Sequence, residues 1–259
     1  MNTVNEIVQN TLALDPALLV LLAVWVVTMI SLPVVRWTAG DAAVPAGVSV
    51  GVLAQTILVV TLTAVGYGLP VALGAALVVG AGGWLLEFVG SRSGVLFGSY
   101  EYTERLQPQI ARVPLVIPLA WIMMMPPAWA VATYLVPEGG AIAFAAVAAA
   151  AFVAWDLFLD PQMVGWGFWQ WHDGGHYLGI PLRNFAGWFI GAFVLTLAVN
   201  ALFGRPEIPA APLFAVYAIM WILESVGQTF FWRLRASAAV GFVGMGLFVA
   251  LVLLFGTAV

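Results

Sequence analysis

Eight long runs of apolar residues, interrupted by few charges, follow one another along the chain. A run of about 20 apolar residues is long enough to cross the hydrocarbon core of a bilayer as a helix. Because no water is available there, the backbone must satisfy its own hydrogen bonds, which favours helices. Charged residues make up only 8% of the chain, so the sequence predicts a single all-α, polytopic membrane domain over residues 1–259. The predicted spans are about residues 17–35, 46–67, 70–89, 113–135, 140–159, 185–203, 210–231 and 237–256.

The basic residues indicate how these spans are oriented. The chain has no lysine, and an eight-span arrangement places most of its arginines on one side: Arg36, Arg92, Arg105, Arg112, Arg183, Arg233 and Arg235. The other side, which carries both termini, holds only Arg205. Because cytoplasmic loops are enriched in basic residues, we expect both termini to be extracytoplasmic in the cell membrane. The net charge of −4 and the absence of lysine argue against nucleic acid as a partner.

Two polar segments, residues 87–112 and residues 156–188, hold more than half of the acidic, basic and histidine residues. Both lie on the arginine-rich side, so we expect a site near the cytoplasmic face. Both also contain aromatic residues: Tyr100, Tyr102, Trp166, Trp169, Trp171, Tyr177 and Trp188. Carboxylates beside aromatic rings at a membrane edge indicate acid chemistry on an apolar substrate.

Asp156 and Asp160 are four residues apart, which places both carboxyls on one face of a helix. Pro161 disfavours helical geometry at Asp160 and predicts that the fifth span ends there. The carboxyls would then meet the negative end of the helix dipole, close to a like charge and in a medium of low dielectric constant. These conditions favour the protonated form, so the pair is predicted to contain a general acid. The alternative is a pair of interfacial aspartates that face water.

Two glutamates lie inside predicted spans and are further candidates. Glu87 is near the cytoplasmic end of the third span, and Glu224 lies roughly 10 Å of helical rise from the end of the seventh. Gln228 follows Glu224 by one turn and shares its face. An unpaired charge at such a depth is costly, so each glutamate should be protonated, line a wet cavity or pair with Arg92 or Arg233.

Pro126 and Pro127 fall near the middle of the fourth span. Prolines inside a helix remove backbone hydrogen bonds, so the pair predicts a kinked or broken helix. A break within the membrane is tolerable only against protein or a cavity. The two prolines therefore indicate either a ligand cavity or a bent helix.

The sequence gives little support for a metal centre. It contains no cysteine and two histidines, His172 and His176, separated by a segment with two glycines that oppose a helix. A hydrogen-bonded loop is favoured there, and no metal site is predicted. Trp166, Trp169 and Trp171 are typical of an interfacial aromatic belt. Alternatively, their ring faces line the site and stabilise a carbocation.

Three sequence elements together resemble one family. They are the stretch that begins at Glu87 and includes Gly98-Ser-Tyr100-Glu-Tyr102, the motif Asp156-Leu-Phe-Leu-Asp160-Pro161, and the motif Gly179-Ile-Pro-Leu-Arg-Asn184-Phe-Ala-Gly187-Trp188. Over about residues 80–235 the chain resembles the membrane carotenoid hydratases, a family that includes bisanhydrobacterioruberin hydratases and related carotenoid 1,2-hydratases. The length of the chain and its number of spans also fit that family.

This resemblance implies a hydro-lyase of carotenoid biosynthesis that works without a cofactor. It would add water across the terminal C1=C2 double bond of an acyclic, lycopene-like or bisanhydrobacterioruberin-like carotenoid end, giving a tertiary alcohol. The expected partners are the lipophilic carotenoid, membrane lipid and other membrane enzymes of the pathway. Such chemistry needs an acid, stabilisation of a cation and a base for the water. The predicted catalytic residues are Asp160, Asp156, Glu87 and Glu224, and the predicted substrate-binding residues are Tyr100, Tyr102, Trp169, Trp171, Asn184 and Trp188.

Two other functions stay open at the level of sequence. Asp156 and Asp160 also resemble half of the Mg²⁺–diphosphate apparatus of intramembrane prenyltransferases, although that chemistry uses two aspartate-rich motifs. A transporter or a carotenoid-binding scaffold would need no catalytic residue. Against a transporter, the chain has no internal repeat of the transporter kind, and its acids cluster at one face.

Overall fold

The computed structural model describes residues 3–256 of the chain. Within this range the helices are α1 (Thr3–Leu12), α2 (Pro16–Ala39), α3 (Val44–Tyr67), α4 (Leu69–Ser93), α5 (Val116–Leu135), α6 (Ala141–Gly165), α7 (Leu182–Phe203), α8 (Ala210–Val226) and α9 (Arg235–Phe255). A 3₁₀ turn over Asp41–Ala43 precedes α3, and a π-helical turn over Gly227–Phe231 follows α8. The strands are β1 (Tyr100–Tyr102), β2 (Gln109–Ile110), β3 (Val113–Pro114) and β4 (Trp169–Trp171).

Eight segments are long and apolar enough to span a membrane: α2 to α9, with the 3₁₀ turn included in the span of α3 and the π-helical turn in that of α8. This confirms the predicted all-α polytopic bundle. Because successive spans alternate in direction, the loops after α2, α4, α6 and α8 fall at one end of the bundle. That end carries both polar segments, and we call it the site end. Helix α1 was not predicted from the sequence; it packs against α8 and α9.

Helix α5 lies at the centre of the bundle and contacts α3, α4, α6, α8 and α9. It is helical throughout, including at Pro126 and Pro127, so of the predicted kink or break the break is wrong. Pro127 cannot donate to the carbonyl of Met123. Gln55 of α3 donates to that carbonyl instead, with 3.4 Å between Nε2 and O. A neighbouring helix thus satisfies a backbone group that the proline leaves unbonded.

Helix α6 continues past Pro161 for a further turn, so the prediction that this span ends at Asp160 is also wrong. The proline leaves the carbonyl of Leu157 without its helical partner. That carbonyl accepts hydrogen bonds from the hydroxyls of Tyr177, over 2.7 Å, and Ser237, over 3.3 Å. Asp160 therefore lies more than one turn before the helix end, and the helix dipole opposes its ionisation less than predicted.

A short antiparallel sheet joins the two polar segments. In the pairing of β1 with β4, Tyr100 lies opposite Trp171, and Tyr102 lies opposite Trp169. Side chains alternate along a strand, so these four aromatic residues share one face. The intervening residues of both strands share the opposite, exposed face. The sheet, which the sequence did not predict, therefore closes the site end of the bundle with a layer of inward-facing rings.

Glycines in α4 and α7 let a tryptophan of α5 reach the same region. A Cβ atom at Gly83 would lie 2.5 Å from Cγ of Trp121, and one at Gly191 would lie 2.9 Å from its Cη2. Such distances are too short for any larger residue at either position. The indole of Trp121 therefore lies between α4 and α7. It contacts α4 at Gly83, which is one helical turn before Glu87.

Candidate active site

A cavity of about 40 Å³ lies against the inward face of the β1–β4 sheet, where α3, α4, α5, α6 and α7 converge. We call it the acid cavity. It brings together most of the residues predicted for the site: Glu87, Tyr100, Tyr102, Asp160, Trp169, Trp171, Asn184 and Trp188. The rest of its lining is aliphatic or methionine: Val48, Val52, Leu106, Val116, Ile117, Ala120, Met123, Leu159 and Met163. A few polar groups thus face an otherwise apolar space.

Glu87 projects from α4 into the acid cavity and is only 2% exposed. Three side chains donate to its carboxyl. The hydroxyls of Tyr100 and Tyr102 both donate to Oε2, the latter over 2.8 Å, and the indole nitrogen of Trp121 donates to Oε1 over 3.3 Å. Three donors around one carboxyl hold it in a fixed position and stabilise negative charge on it.

The two tyrosines act as donors over a wide range of pH. Burial raises the pKa of Tyr100 and of Tyr102 above the ordinary value of a phenol, and the neighbouring carboxylate of Glu87 raises it further. The ordinary value is about 10. Both phenols therefore keep their protons at neutral pH and remain hydrogen-bond donors to Glu87.

Asp156 and Asp160 form a pair of neighbouring carboxyls on α6, and both are buried. The side-chain amide of Asn184, on α7, donates to Oδ2 of Asp160 and lies 3.4 Å from Oδ2 of Asp156. The indole of Trp169, on β4, donates to Oδ1 of Asp160 over 3.1 Å. Asp156 Oδ1 has no hydrogen-bond partner among residues 3–256. Neutral groups from α7 and β4 thus fix the two aspartates.

No basic side chain neutralises these carboxyls. The ion pairs among residues 3–256 join exposed side chains, Arg36 with Asp41 and Arg183 with Asp173. Arg92 donates to two backbone carbonyls, and neither Arg92 nor Arg233 pairs with Glu87 or Glu224. Of the three alternatives for these glutamates, pairing with Arg92 or Arg233 is therefore wrong. A buried carboxyl without a cation is most stable when it is protonated, unless hydrogen-bond donors stabilise its charge. The neutral form is therefore favoured more for the aspartates of α6 than for Glu87, which accepts three hydrogen bonds.

Aromatic rings form a wall of the acid cavity. Trp188 stacks on Trp121, with ring centroids 4.9 Å apart and planes 18° apart. Phe152 packs against both rings. On the sheet side, the rings of Tyr100 and Trp171 lie 5.6 Å apart. The negative face of an aromatic ring attracts a cation, so such a wall can stabilise positive charge in the cavity.

Two of the predicted catalytic residues lie outside the lining of the acid cavity. Asp156 is one turn before Asp160 on α6 and shares its contact with Asn184. Glu224 lines a second cavity of about 50 Å³, between α2, α3, α6 and α8. Gln228 donates to Glu224 Oε2 over 3.1 Å, which confirms that these two residues share a face. Trp166 also lines this second cavity, apart from the tryptophans of β4.

The model of one protein family matches residues 46–256, which is most of the chain, and its description is carotenoid biosynthesis protein. The chain belongs to the carotenoid biosynthesis protein family. It is also similar to the bisanhydrobacterioruberin hydratase of Haloarcula japonica, with 29% identity over 123 residues. The matched region is 46% of this chain and 42% of that protein, so it spans less than half of either. No solved structure matches the chain.

This carotenoid biosynthesis protein has site residues that were not predicted from its sequence. Trp121 bonds to Glu87 and stacks on Trp188, and Gln55 and Gln162 line the second cavity. The sequence does carry a signal for Trp121, because it lies well inside a span and not at an interface, where tryptophan is enriched. Gln55 is a polar residue inside a predicted span, which is also unusual. Gln162 lies beyond the predicted end of the fifth span, so the sequence gave no such signal for it.

The histidines of this family member lie apart from both cavities. His172 and His176 are exposed, in the segment that follows β4. The backbone N–H of His172 donates to the carbonyl of Ser99 over 2.9 Å, as expected for a hydrogen-bonded loop. Among residues 3–256, no group of three or more histidine, aspartate or glutamate side chains is arranged to hold a metal ion.

Proposed function

We propose that this membrane protein is a carotenoid hydratase that adds water across the terminal C1=C2 double bond of an acyclic carotenoid end. The observation that carries the proposal is the setting of Asp160. A buried carboxyl, bonded by neutral donors, faces an apolar cavity with aromatic walls. Membership of the carotenoid biosynthesis family and the hydratase activity named for the relative support it.

The first step of the proposed reaction is proton transfer from Asp160. The π electrons of the alkene form a C–H bond at the less substituted carbon, and the carboxylate of Asp160 remains. The other alkene carbon becomes a tertiary cation. The ring faces of Trp188 and Trp171 and the nearby carboxylates stabilise this charge in a medium where electrostatic interactions are strong.

In the second step a water molecule captures the cation. Its oxygen forms the C–O bond and loses a proton to a carboxylate, for which we propose Glu87. Transfer of a proton back to Asp160 restores the starting state, so the net reaction consumes one alkene and one water. The side chains supply the acid and the base, so the proposal includes no cofactor.

Asp160 is preferred over Asp156 as the donor because of its position. Asp160 lines the acid cavity, whereas Asp156 lies behind it on the same helix. We assign Asp156 the role of holding a proton next to Asp160. Two adjacent buried carboxyls do not both ionise readily, so a proton on one favours the charge on the other after transfer.

The acid cavity must widen to accept a carotenoid end. A volume of about 40 Å³ suits one or a few water molecules. Met123 and Met163 line the cavity, and methionine side chains are flexible and adapt to irregular shapes. We propose that these two side chains move aside when the carotenoid end binds.

The proposal is tested by expressing the protein in cells that make lycopene or another acyclic carotenoid. The expected product is heavier than its precursor by one water. Purified protein should form the same product without added Mg²⁺ or a diphosphate substrate, unlike a prenyltransferase. Protein that binds the carotenoid without converting it would contradict the proposal and favour a binding scaffold.

A further inference from the structure

One residue of the second cavity has a buried polar atom that no group among residues 3–256 satisfies. Gln55 lines this cavity and is fully buried in α3. Its amide nitrogen donates a hydrogen bond to the carbonyl of Met123. No group among residues 3–256 donates to its amide oxygen, Oε1. A buried acceptor without a donor is costly, so this oxygen is suited to a ligand that donates a hydrogen bond.

Glu224 supplies a second acceptor beside the same space. Gln228 donates to its Oε2, and Gln162, with its amide nitrogen towards the carboxyl, donates to the same atom over 2.7 Å. The remaining lining residues are apolar apart from one threonine, and none is basic. The cavity therefore fits a small neutral molecule that donates hydrogen bonds, and it is unsuited to an anion.

A water molecule meets these requirements. Water needs about 10–15 Å³ of accessible space and two to four polar partners. The second cavity offers about 50 Å³. The oxygen of Gln55 and the carboxyl of Glu224 are acceptors, and the amide of Gln162 completes the set of polar partners.

Only one layer of side chains separates this space from the acid cavity. Five residues line both cavities: Val48, Val52, Met123, Leu159 and Met163. On α6, Asp160 and Gln162 are two residues apart, so the cavities lie at nearly the same depth, about 3 Å apart along the helix axis. Two of the separating residues are methionines, whose flexible side chains can open a passage.

The polar surface beside the tyrosines is a less suitable source of water. Tyr100 and Tyr102 also line a large polar depression at the site end. The hydroxyl protons of both residues are directed to Glu87, and Tyr100 is only 4% exposed. Tyr102 is partly exposed, so the buried ring of Tyr100 and the two hydrogen bonds to Glu87 separate the acid cavity from this depression.

We propose that the second cavity binds the water that captures the cation, with Gln55 and Glu224 as its water-binding residues. The water passes Met123, Leu159 and Met163 to reach the acid cavity. This inference rests on the proposed hydratase function. It gives Glu224, which lies away from the acid cavity, a role that differs from proton donation to the alkene.

The cation has two fates, and their ratio reports on the supply of water. Capture by water forms a C–O bond and gives the alcohol after a proton is lost. Without water, the cation loses a proton from an adjacent carbon to a carboxylate, and the C–H electrons form an alkene again. In D₂O, this second route returns an alkene that carries deuterium or has a shifted double bond.

The experiment measures the ratio of deuterated or isomerised alkene to alcohol in D₂O, for purified protein with a lycopene-type carotenoid. Gln55→Met and Glu224→Gln should each raise this ratio about 10-fold, because a misplaced reactant can reduce a step by up to about 10²-fold. Glu138→Gln is the matched control for Glu224→Gln. It makes the same change at an exposed residue that lines neither cavity, and it should leave the ratio as in the wild type.

Three results would contradict the proposed water site or the proposed function. An unchanged ratio in both variants, with deuterium still incorporated, overturns the assignment of the water site. Loss of both alcohol and deuterated alkene in both variants also overturns it, because these residues would then be needed for protonation. A wild-type protein that forms neither product contradicts the proposed function itself, and the inference falls with it.

Discussion

Tyr102 lies directly opposite Trp169 in the β1–β4 sheet, with their rings nearly perpendicular and their centroids 5.7 Å apart. The hydroxyl of Tyr102 donates to Glu87, and the indole of Trp169 donates to Asp160. One cross-strand pair therefore holds the two carboxyls that face the acid cavity. Because each carboxyl is on a different helix, the sheet sets their relative position.

Replacement of Tyr102 by phenylalanine should lower stability at neutral pH by about 1–3 kcal/mol, because it removes a donor to a buried carboxyl. The difference in stability between the wild type and this variant should decrease at alkaline pH. The pKa of Tyr102 is raised in the folded protein, so its contribution is fully present below the unfolded value of about 10 and is lost as the pH rises towards the folded value. Unfolding temperatures of detergent-solubilised wild type and Tyr102→Phe, measured from pH 7 to pH 11, test this. Parallel pH profiles for the two proteins would contradict it.

The sequence correctly predicted the membrane spans and the position of both polar segments at the same end of the bundle. Hydropathy determines which runs enter the membrane, and this signal is local. Two of the three elements that carry the resemblance contain glycines for which the fold gives a reason. A Cβ atom at Gly187 would lie 2.6 Å from the carbonyl of Leu96, and Gly98 has a φ of +94°. These glycines let the first polar segment approach α7 closely, which places Asn184 and Trp188 in the site.

The features that were missed depend on partners distant in sequence. The C-terminal end of α6 was mispredicted because Tyr177 and Ser237 replace the hydrogen bond that Pro161 removes. Whether a proline ends a helix in a membrane depends on such tertiary partners. The strands were missed although Tyr-x-Tyr and Trp-x-Trp both alternate with the period of a strand. Three residues are too few for that pattern to stand out without the pairing itself.

The distribution of arginines predicts that the C-terminus is extracytoplasmic. A reporter that is active only outside the cytoplasm, fused after Val259, should therefore be active. The same reporter inserted into the segment between α4 and α5 should be inactive, since that loop carries several of the arginines. A cytoplasmic C-terminus would refute the predicted orientation and the cytoplasmic position of the site.

The oxygen of the product should come from water. Hydration of a cation needs neither dioxygen nor a redox centre, and the sequence has no cysteine and only two histidines. Cells or purified protein supplied with oxygen-labelled water, under anaerobic conditions and with a chelator, should form labelled alcohol. A strict requirement for dioxygen or for a metal ion would overturn the hydratase proposal.

Turnover should depend on the aromatic character of Trp188 more than on the volume of its side chain. Trp188→Phe keeps an aromatic face, whereas Trp188→Leu removes it. A cation–π contact in a desolvated site contributes about 2 kcal/mol, so the leucine variant should lose about 30-fold more turnover than the phenylalanine variant. Turnover of the same carotenoid by the two variants is the measurement. Equal losses would show that Trp188 contributes by packing alone.

The most specific prediction concerns the proton donor. Asp160→Asn keeps the shape of the side chain but removes its acidic proton, so turnover should fall by at least about 10²-fold, the usual scale for general acid catalysis. Asp156→Asn should reduce turnover less, because Asp156 lies behind the lining of the cavity. Folding and carotenoid binding should survive in both variants, since asparagine can still bond to Asn184. Asp41→Asn, at an exposed position, is the matched control. Near-normal turnover in both Asp156→Asn and Asp160→Asn would reject the α6 aspartates as donors and leave Glu87 or Glu224 as the acid.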